Sequence, residues 1–165
     1  MAEMNAHMKE LLSILESDGR ATKEQIAVMT GRSLAEVGQM LKALEDEKIL
    51  LGSKSVINWE KAEGQLVSAI IELKVTPKQK GFDEVARTIC RFPQVKSVYL
   101  MSGAYDLGLI VEDKGMKEIA LFVAEQLAPM DAVISTGTHF MLKTYKDAGI
   151  MFDAGDVDTR QVITL

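Results

Sequence analysis

Near the start of the chain, the apolar residues Met4, Met8, Leu11, Leu12 and Leu15 fall at i, i+4, i+7, i+8 and i+11. That spacing traces one face of an α-helix, which Asp18-Gly19 ends. Thr22-Lys23-Glu24-Gln25 follows as a capping box, in which the Thr22 hydroxyl can accept from the Gln25 backbone N–H while Gln25 reaches back. It opens a short helix with Ile26, Ala27 and Met29 on its apolar side, stopped at Gly31. Ser33-Leu34-Ala35-Glu36 is a second capping box, opening a third helix whose face is Val37, Met40, Leu41 and Leu44. Two such boxes 11 residues apart, with a glycine turn between them, predict a short helix, a tight turn and a longer helix. From Ile49 the pattern changes. Ile49-Leu50-Leu51, the turn-like Gly52-Ser53-Lys54-Ser55 and Val56-Ile57 predict a small β-hairpin, or wing. Asn58 to Gly64 reads as a linker.

The second half alternates differently. Leu66–Val75 is β-rich and closed by Pro77, and Phe82, Val85, Ala86, Ile89 and Cys90 are spaced as a helix face that Phe92-Pro93 ends. Strands Val95–Met101 and Leu107–Val111 flank the turn Ser102–Asp106. Met116–Leu127 is helical, with Ile119, Ala120, Phe122, Val123 and Leu127 apolar and Pro129 as its stop, and Ala132–Leu142 is a last strand. The order β-α-β-β-α-β predicts an α+β chain whose C-terminal part follows the split-βαβ, ferredoxin-like plan, with two helices on one face of an antiparallel four-stranded sheet. The other face is left uncovered, and an apolar sheet face on a domain of about 80 residues is expected to be buried by a partner chain, so a dimer is expected. The expected divisions are residues 1–60, 61–143 and a tail of 144–165, rich in Asp and Gly and ending in the strand-like Gln161–Leu165.

Composition narrows the class. A chain of 165 residues that is 47% hydrophobic and 26% charged reads as a soluble globular protein of one domain or two small ones. No apolar run approaches the roughly 18–20 residues of a membrane span, and Met1-Ala2-Glu3-Met4-Asn5 lacks the layout of a signal peptide. The one cysteine, Cys90, cannot form an intrachain disulfide, and the expected location is cytoplasmic. The net charge is −5. Residues 1–60 hold 7 Lys/Arg against 10 Asp/Glu, and residues 61–165 hold 12 against 14. Neither part is basic, so any nucleic-acid role must rest on local arrangement.

Two places could carry chemistry. A recognition helix puts its N-terminal residues against base edges. Here those are Ser33, Leu34, Ala35, Gly38, Gln39 and Lys42, with Arg32 and the wing residue Lys54 available for phosphates. A helical bundle that binds protein is the alternative, and Glu36, Glu45, Asp46 and Glu47 oppose phosphate attraction. In the turn Ser102–Asp106, Gly103 permits a positive φ, free backbone N–H groups can meet a carboxylate, and Asp106 could accept from an amino group. One acceptor and several donors suit an α-amino acid; a plain hairpin turn with Asp106 capping its own backbone is the alternative. Other residues read as structural. His7 and His139 are far apart without a ligand set, Cys90 reads as a buried structural thiol, and Asp153–Asp158 lacks the alternation and closing Glu of a calcium loop. No metal or cofactor is expected, and no clustered His, Cys or carboxylate pair suggests an enzyme.

The two-domain order, with Ser33-x-x-x-Val37, Leu41-x-x-Leu44-Glu45, Ile49-Leu50, Ser102-Gly103-x-Tyr105-Asp106 and Thr136-x-Thr138, resembles the leucine-responsive regulatory protein/AsnC (Lrp/AsnC) family over roughly residues 5–143. The resemblance implies a transcriptional regulator with an N-terminal winged helix-turn-helix that binds double-stranded DNA and a C-terminal effector and oligomerisation domain. It also implies homodimers, often assembled into larger rings, and in many members a response to amino acids. The effector site it implies lies between dimers, around Met101, Ser102, Gly103, Tyr105 and Asp106, with Thr136 and Thr138. Departures are Met40 and Ala43, where the family commonly carries Arg or Lys, and Lys48 in place of the glycine usual before the wing. They motivate an alternative: an amino-acid-binding oligomeric sensor or assembly protein that has lost DNA binding.

Overall fold

The structure is a computed structural model that describes residues 6–59, 61, 62, 64, 66–76 and 81–152. The chain divides into two units, Met1–Ile57 and Asn58–Leu165.

The first unit holds α1 (Ala6–Ser17), α2 (Lys23–Thr30) and α3 (Leu34–Asp46). Each helix gives its apolar stripe to one core of Leu11, Ile26, Val37, Leu41 and Leu44. Burying each Leu or Ile is worth about 1.5–3 kcal/mol, and this burial holds together three helices too short to persist alone. Both capping boxes form. Thr22 Oγ1 accepts from Gln25 N at 3.2 Å while Gln25 Oε1 accepts from Thr22 N at 2.8 Å. Ser33 Oγ accepts from Glu36 N at 3.3 Å while Glu36 Oε2 accepts from Ser33 N at 2.9 Å.

The two helices also end alike. At the end of α2, Gly31 (φ 66°) donates to Val28 O and Arg32 N donates to Ala27 O. At the end of α3, Lys48 (φ 58°) donates to Glu45 O and Ile49 N donates to Leu44 O. Both are the paired closing bonds of a Schellman motif, with a left-handed residue in the same place. In one helix that residue is glycine; in the other it is lysine.

The expected wing is not formed. Residues 50–58 contain no strand among the described residues. Leu50 turns in to pack on the helical core, Leu51 is left 83% exposed, and Gly52 takes φ 153°. The arms around the turn, three residues and two, are too short to hold a ladder without a sheet to join. This unit is a helix-turn-helix with an irregular segment where the hairpin was expected, and Lys54 lies on that segment, exposed.

The second unit runs β1 (Val67–Val75), α4 (Gly81–Ile89), β2 (Val95–Leu100), β3 (Leu107–Asp113), α5 (Met116–Phe122) and β4 (Val133–Phe140). The sheet order is β2-β3-β1-β4, antiparallel throughout. Ala69, Ile71, Leu73 and Val75 of β1, with Leu107, Leu109 and Val111 of β3, face the helices and are buried against Ile89, Ile119, Phe122 and Leu127. A lone pair of two-residue strands, β5 (Lys146–Asp147) and β6 (Ile150–Met151), follows β4 in what reads from sequence as a plain tail.

Two expectations fail in detail. The helix expected over Met116–Leu127 is α-helical only to Phe122 and becomes a π-helical turn over Val123–Leu127, closed by Ala128 N on Val123 O at 2.8 Å. Phe122 and Leu127, five residues apart, are both buried; the wider turn brings them to one side, which α spacing does not. Cys90, expected to be buried, is exposed, because α4 stops at Ile89 and that side chain fills the core position. Met4, Pro77, the Asp153–Asp158 loop and the Gln161–Leu165 segment lie outside the described residues.

Candidate functional site

The reading edge of the helix-turn-helix starts at Arg32. Ser33, Leu34, Ala35, Gln39 and Lys42 are exposed along α3, and Gly38 is half-buried. Leu34 is 49% exposed, an apolar contact offered outward from the first turn. Ser33 is less free than the sequence suggests. Besides accepting from Glu36 N, its hydroxyl donates to Glu36 Oε2 at 2.7 Å, so the side chain is used by the cap. The same bonds, from the Ser33 hydroxyl first and its backbone second, hold the Glu36 carboxyl below its usual range. Glu36 is thus a charge folded back on the helix N-terminus, where the macrodipole favours it. Arg32 Nε is enclosed without a partner among the described residues. The groove of about 820 Å³ between α1 and α2 carries Glu10, Asp18 and Glu24 around Ile14, Val28 and Met29, and that sign of charge makes it no seat for a phosphate.

The turn between β2 and β3 is built differently from the sequence reading. Met101 N donates to Asp106 O at 2.8 Å and Asp106 N to Leu73 O at 2.9 Å, so both ladders run on into the turn. The Asp106 carboxylate is already engaged. Oδ2 accepts from Val75 N at 2.9 Å and Oδ1 from Lys74 Nζ at 3.1 Å, with its side chain 19% exposed. The Val75 N–H first, then Lys74, holds this carboxyl below its usual value against the opposing effect of burial. Asp106 therefore ties the turn to β1. The backbone N–H groups of Ser102, Gly103, Ala104 and Tyr105 find no acceptor among the described residues, and Gly103 takes φ 151°.

The sheet's open face lies beneath this turn. Glu72 of β1 pairs with Gly108 on β3 and Gly137 on β4, and Tyr99 pairs with Gly108 from the other side. Met101 lies over Gly108, and Tyr105 lies over Gly137. His139 Nε2 stands 3.2 Å from Glu72 Oε2. Thr136 and Thr138 pair with Leu73 and Ile71 and so point to the helix side of β4, the face opposite Tyr105. Within one chain the structure brings Met101, Tyr105 and Asp106 together and separates the two threonines from them. Sequence reasoning missed Lys74 and Glu72 and read His139 as structural; the signal for the first two was alternation along β1, which puts Ile70, Glu72 and Lys74 on the uncovered face. Among the described residues no group of three or more His, Cys, Asp or Glu could hold a metal ion, and no helix is long and apolar enough to cross a membrane.

A capped helix-turn-helix followed by a ferredoxin-like sheet with one bare face defines a class, the two-part DNA-binding transcriptional regulators. The family model for the Lrp/AsnC ligand binding domain matches residues 68–151. The uncharacterized HTH-type transcriptional regulator YugG of Bacillus subtilis (strain 168) is 46% identical over 157 residues, covering 94% of this chain and 95% of that protein. The HTH-type transcriptional regulator FL11 of Pyrococcus furiosus is 27% identical over 139 residues, covering 84% and 89%. The crystal structure of the transcriptional regulator NMB0573 of Neisseria meningitidis in complex with L-Met superposes with a TM-score of 0.71 at 21% identity, over 88% of this chain and 94% of that one, a likeness of fold. The chain belongs to the Lrp/AsnC family, and it is a helix-turn-helix transcriptional regulator.

Proposed function

We propose that this regulator works as a homodimer in the cytoplasm, reads DNA with α3, and responds to an amino acid held at the Met101–Asp106 turn. The observation that carries the effector reading is the run of four backbone N–H groups, Ser102 to Tyr105, without an acceptor among the described residues. They suit a carboxylate. Asp106, spent on Val75 and Lys74, keeps the turn in place, so the ammonium group needs an acceptor from elsewhere, which fits a site shared between copies. Thr136 and Thr138, on the other face of the sheet, can join such a site only from a neighbouring copy. The open sheet face, with Ile70 43% and Tyr99 55% exposed, is the surface for dimerisation.

On DNA, Leu34, Ala35, Gln39 and Lys42 meet base edges, Arg32 and Lys54 meet phosphates, and Ser33 serves as the cap that fixes the helix start. With only these cations the affinity of one helix pair is modest, and the linkage of effector to assembly sets how pairs of reading helices are spaced. Titration of the chain's own upstream DNA by fluorescence anisotropy at several salt concentrations tests this. A sequence preference above background with a negative salt slope is expected. No sequence preference, with no salt slope beyond the nonspecific background, overturns it in favour of an oligomeric sensor that has lost DNA binding, the reading that Met40 and Ala43 favour. For the effector, thermal shift across the twenty amino acids, with L-Met first because of the Neisseria relative, should give at least one stabiliser. No stabiliser would sink the effector reading.

A further inference from the structure

Gly108 and Gly137 have no backbone reason to be glycine. Neither is among the residues with positive φ, unlike Gly31 and Gly103. Both sit inside strands, where glycine gives up side-chain packing, and both flank the same residue, Glu72, one on each neighbouring strand. What they provide is space on the open face. A Cβ at position 108 would stand 2.7 Å from Met101 Sδ and 3.0 Å from its Cε; a Cβ at position 137 would stand 3.2 Å from Tyr105 Oη and 3.5 Å from its Cζ. The two side chains come from opposite ends of the one turn.

We propose that Gly108 and Gly137 are positioning residues: they form two hollows in the open sheet face that seat Met101 and Tyr105, laying the effector turn down as part of the surface on which a second copy packs. This rests on the reading above that the open face is the dimer surface. The turn is fastened at its end by Asp106 and at its sides by the two seated side chains. A ligand gathered by the N–H groups of residues 102–105 pulls on the backbone between those seats, so its binding raises or lowers Met101 and Tyr105 against the partner. Effector and dimer are thereby linked through two side chains rather than through the sheet.

The seats can be closed one at a time. Gly108→Ala evicts the flexible end of Met101, and Gly137→Ala lifts the stiffer Tyr105 ring. The dissociation constant of the dimer is read by sedimentation velocity over a dilution series of the full chain, with far-UV circular dichroism as the check on folding. Each variant is expected to weaken the dimer severalfold. The double variant Gly108→Ala with Met101→Ala, which leaves nothing to evict but forfeits the seated side chain, is expected to hold the dimer more tightly than Gly108→Ala alone and less tightly than the parent. Hydrogen exchange separates seating from general damage: residues 102–105 should exchange faster in both single variants while the β1 core does not. A dimeric parent whose glycine variants dissociate within twofold of it overturns the inference. A monomeric parent overturns the dimer reading and the inference with it. If Gly137→Ala does not fold, the Gly108 pair decides: rescue by Met101→Ala supports the seats, and its absence overturns them.

Discussion

Lys48 sits where α2 uses a glycine, and the two helix ends give its cost an internal reference. Gly31 and Lys48 have φ of 66° and 58° and make the same pair of closing bonds. A residue with a Cβ in this conformation costs roughly 1–2 kcal/mol, and glycine's greater freedom in the unfolded chain takes back roughly 0.5–1 kcal/mol. Lys48→Gly should therefore stabilise the first unit by about 0.5–1 kcal/mol. A second effect opposes this, because a cation near a helix C-terminus gains about 0.3–1 kcal/mol from the macrodipole, but salt screens that contribution. The measurement belongs in high salt, where the backbone contribution stands alone. Native-state hydrogen exchange of the Ile49 amide, bonded to Leu44 O at 2.9 Å, reports the opening of this end. It should slow by about two- to fivefold in Lys48→Gly. Gly31→Ala, which imposes the same strain on α2, should speed exchange of the Arg32 amide by a similar factor. If Ile49 exchanges as fast in the glycine variant as in the parent, the left-handed lysine is not strained and the comparison of the two ends fails.

Acid should release the turn. The Asp106 carboxyl lies below its ordinary value of 3.8, so its contribution to stability is complete above that pH and is lost as pH falls from there through the lower folded value; Asp106→Asn should flatten the pH dependence of the melting temperature in that window. Truncating Leu44, 1% exposed at the centre of the helical core, should cost the first unit about 2–5 kcal/mol, seen as α3 amides exchanging at the rate of open chain while β1 stays protected. Lys42→Ala should relax the sequence preference of DNA binding and leave the slope of log K against log salt unchanged, as a base-edge contact requires, whereas a slope smaller by about 1 would place Lys42 on a phosphate instead.

What the sequence disclosed followed from short-range rules. Both capping boxes were legible because the donor and acceptor lie three residues apart, and the helix-turn-helix follows from them together with Gly31. The order of elements and the ferredoxin-like plan were legible because alternation on the strands and the apolar faces of the helices admit few arrangements. The wing was not. Its residues carry β propensity, but whether arms of three and two residues pair is decided by what they can pair with, and Leu50 gains more from the helical core. The π turn after α5 was hidden for a related reason, since the sequence shows two apolar residues five apart and only the core they must both enter shows that the helix widens.

The Met101–Asp106 turn is the sharper case, because the partners of Asp106 could not be read from the residues around it. Asp106 carries the charge an ammonium group would want, and nothing local in the sequence reveals that β1 presents Lys74 and the Val75 N–H to it from 32 and 31 residues away. The contact exists because β1 lies beside β3, a fact of strand order rather than of spacing. The same strand order sets Gly108 and Gly137 on either side of Glu72, where two glycines that look like weak points in separate strands become one surface feature. In this chain the groups that hold the turn are those of the sheet under it, and the groups left to bind are its backbone amides. If a ligand binds there, its specificity must come from what surrounds those amides in the assembly, so thermal shift for the ligand and sedimentation for the dimer are best read side by side.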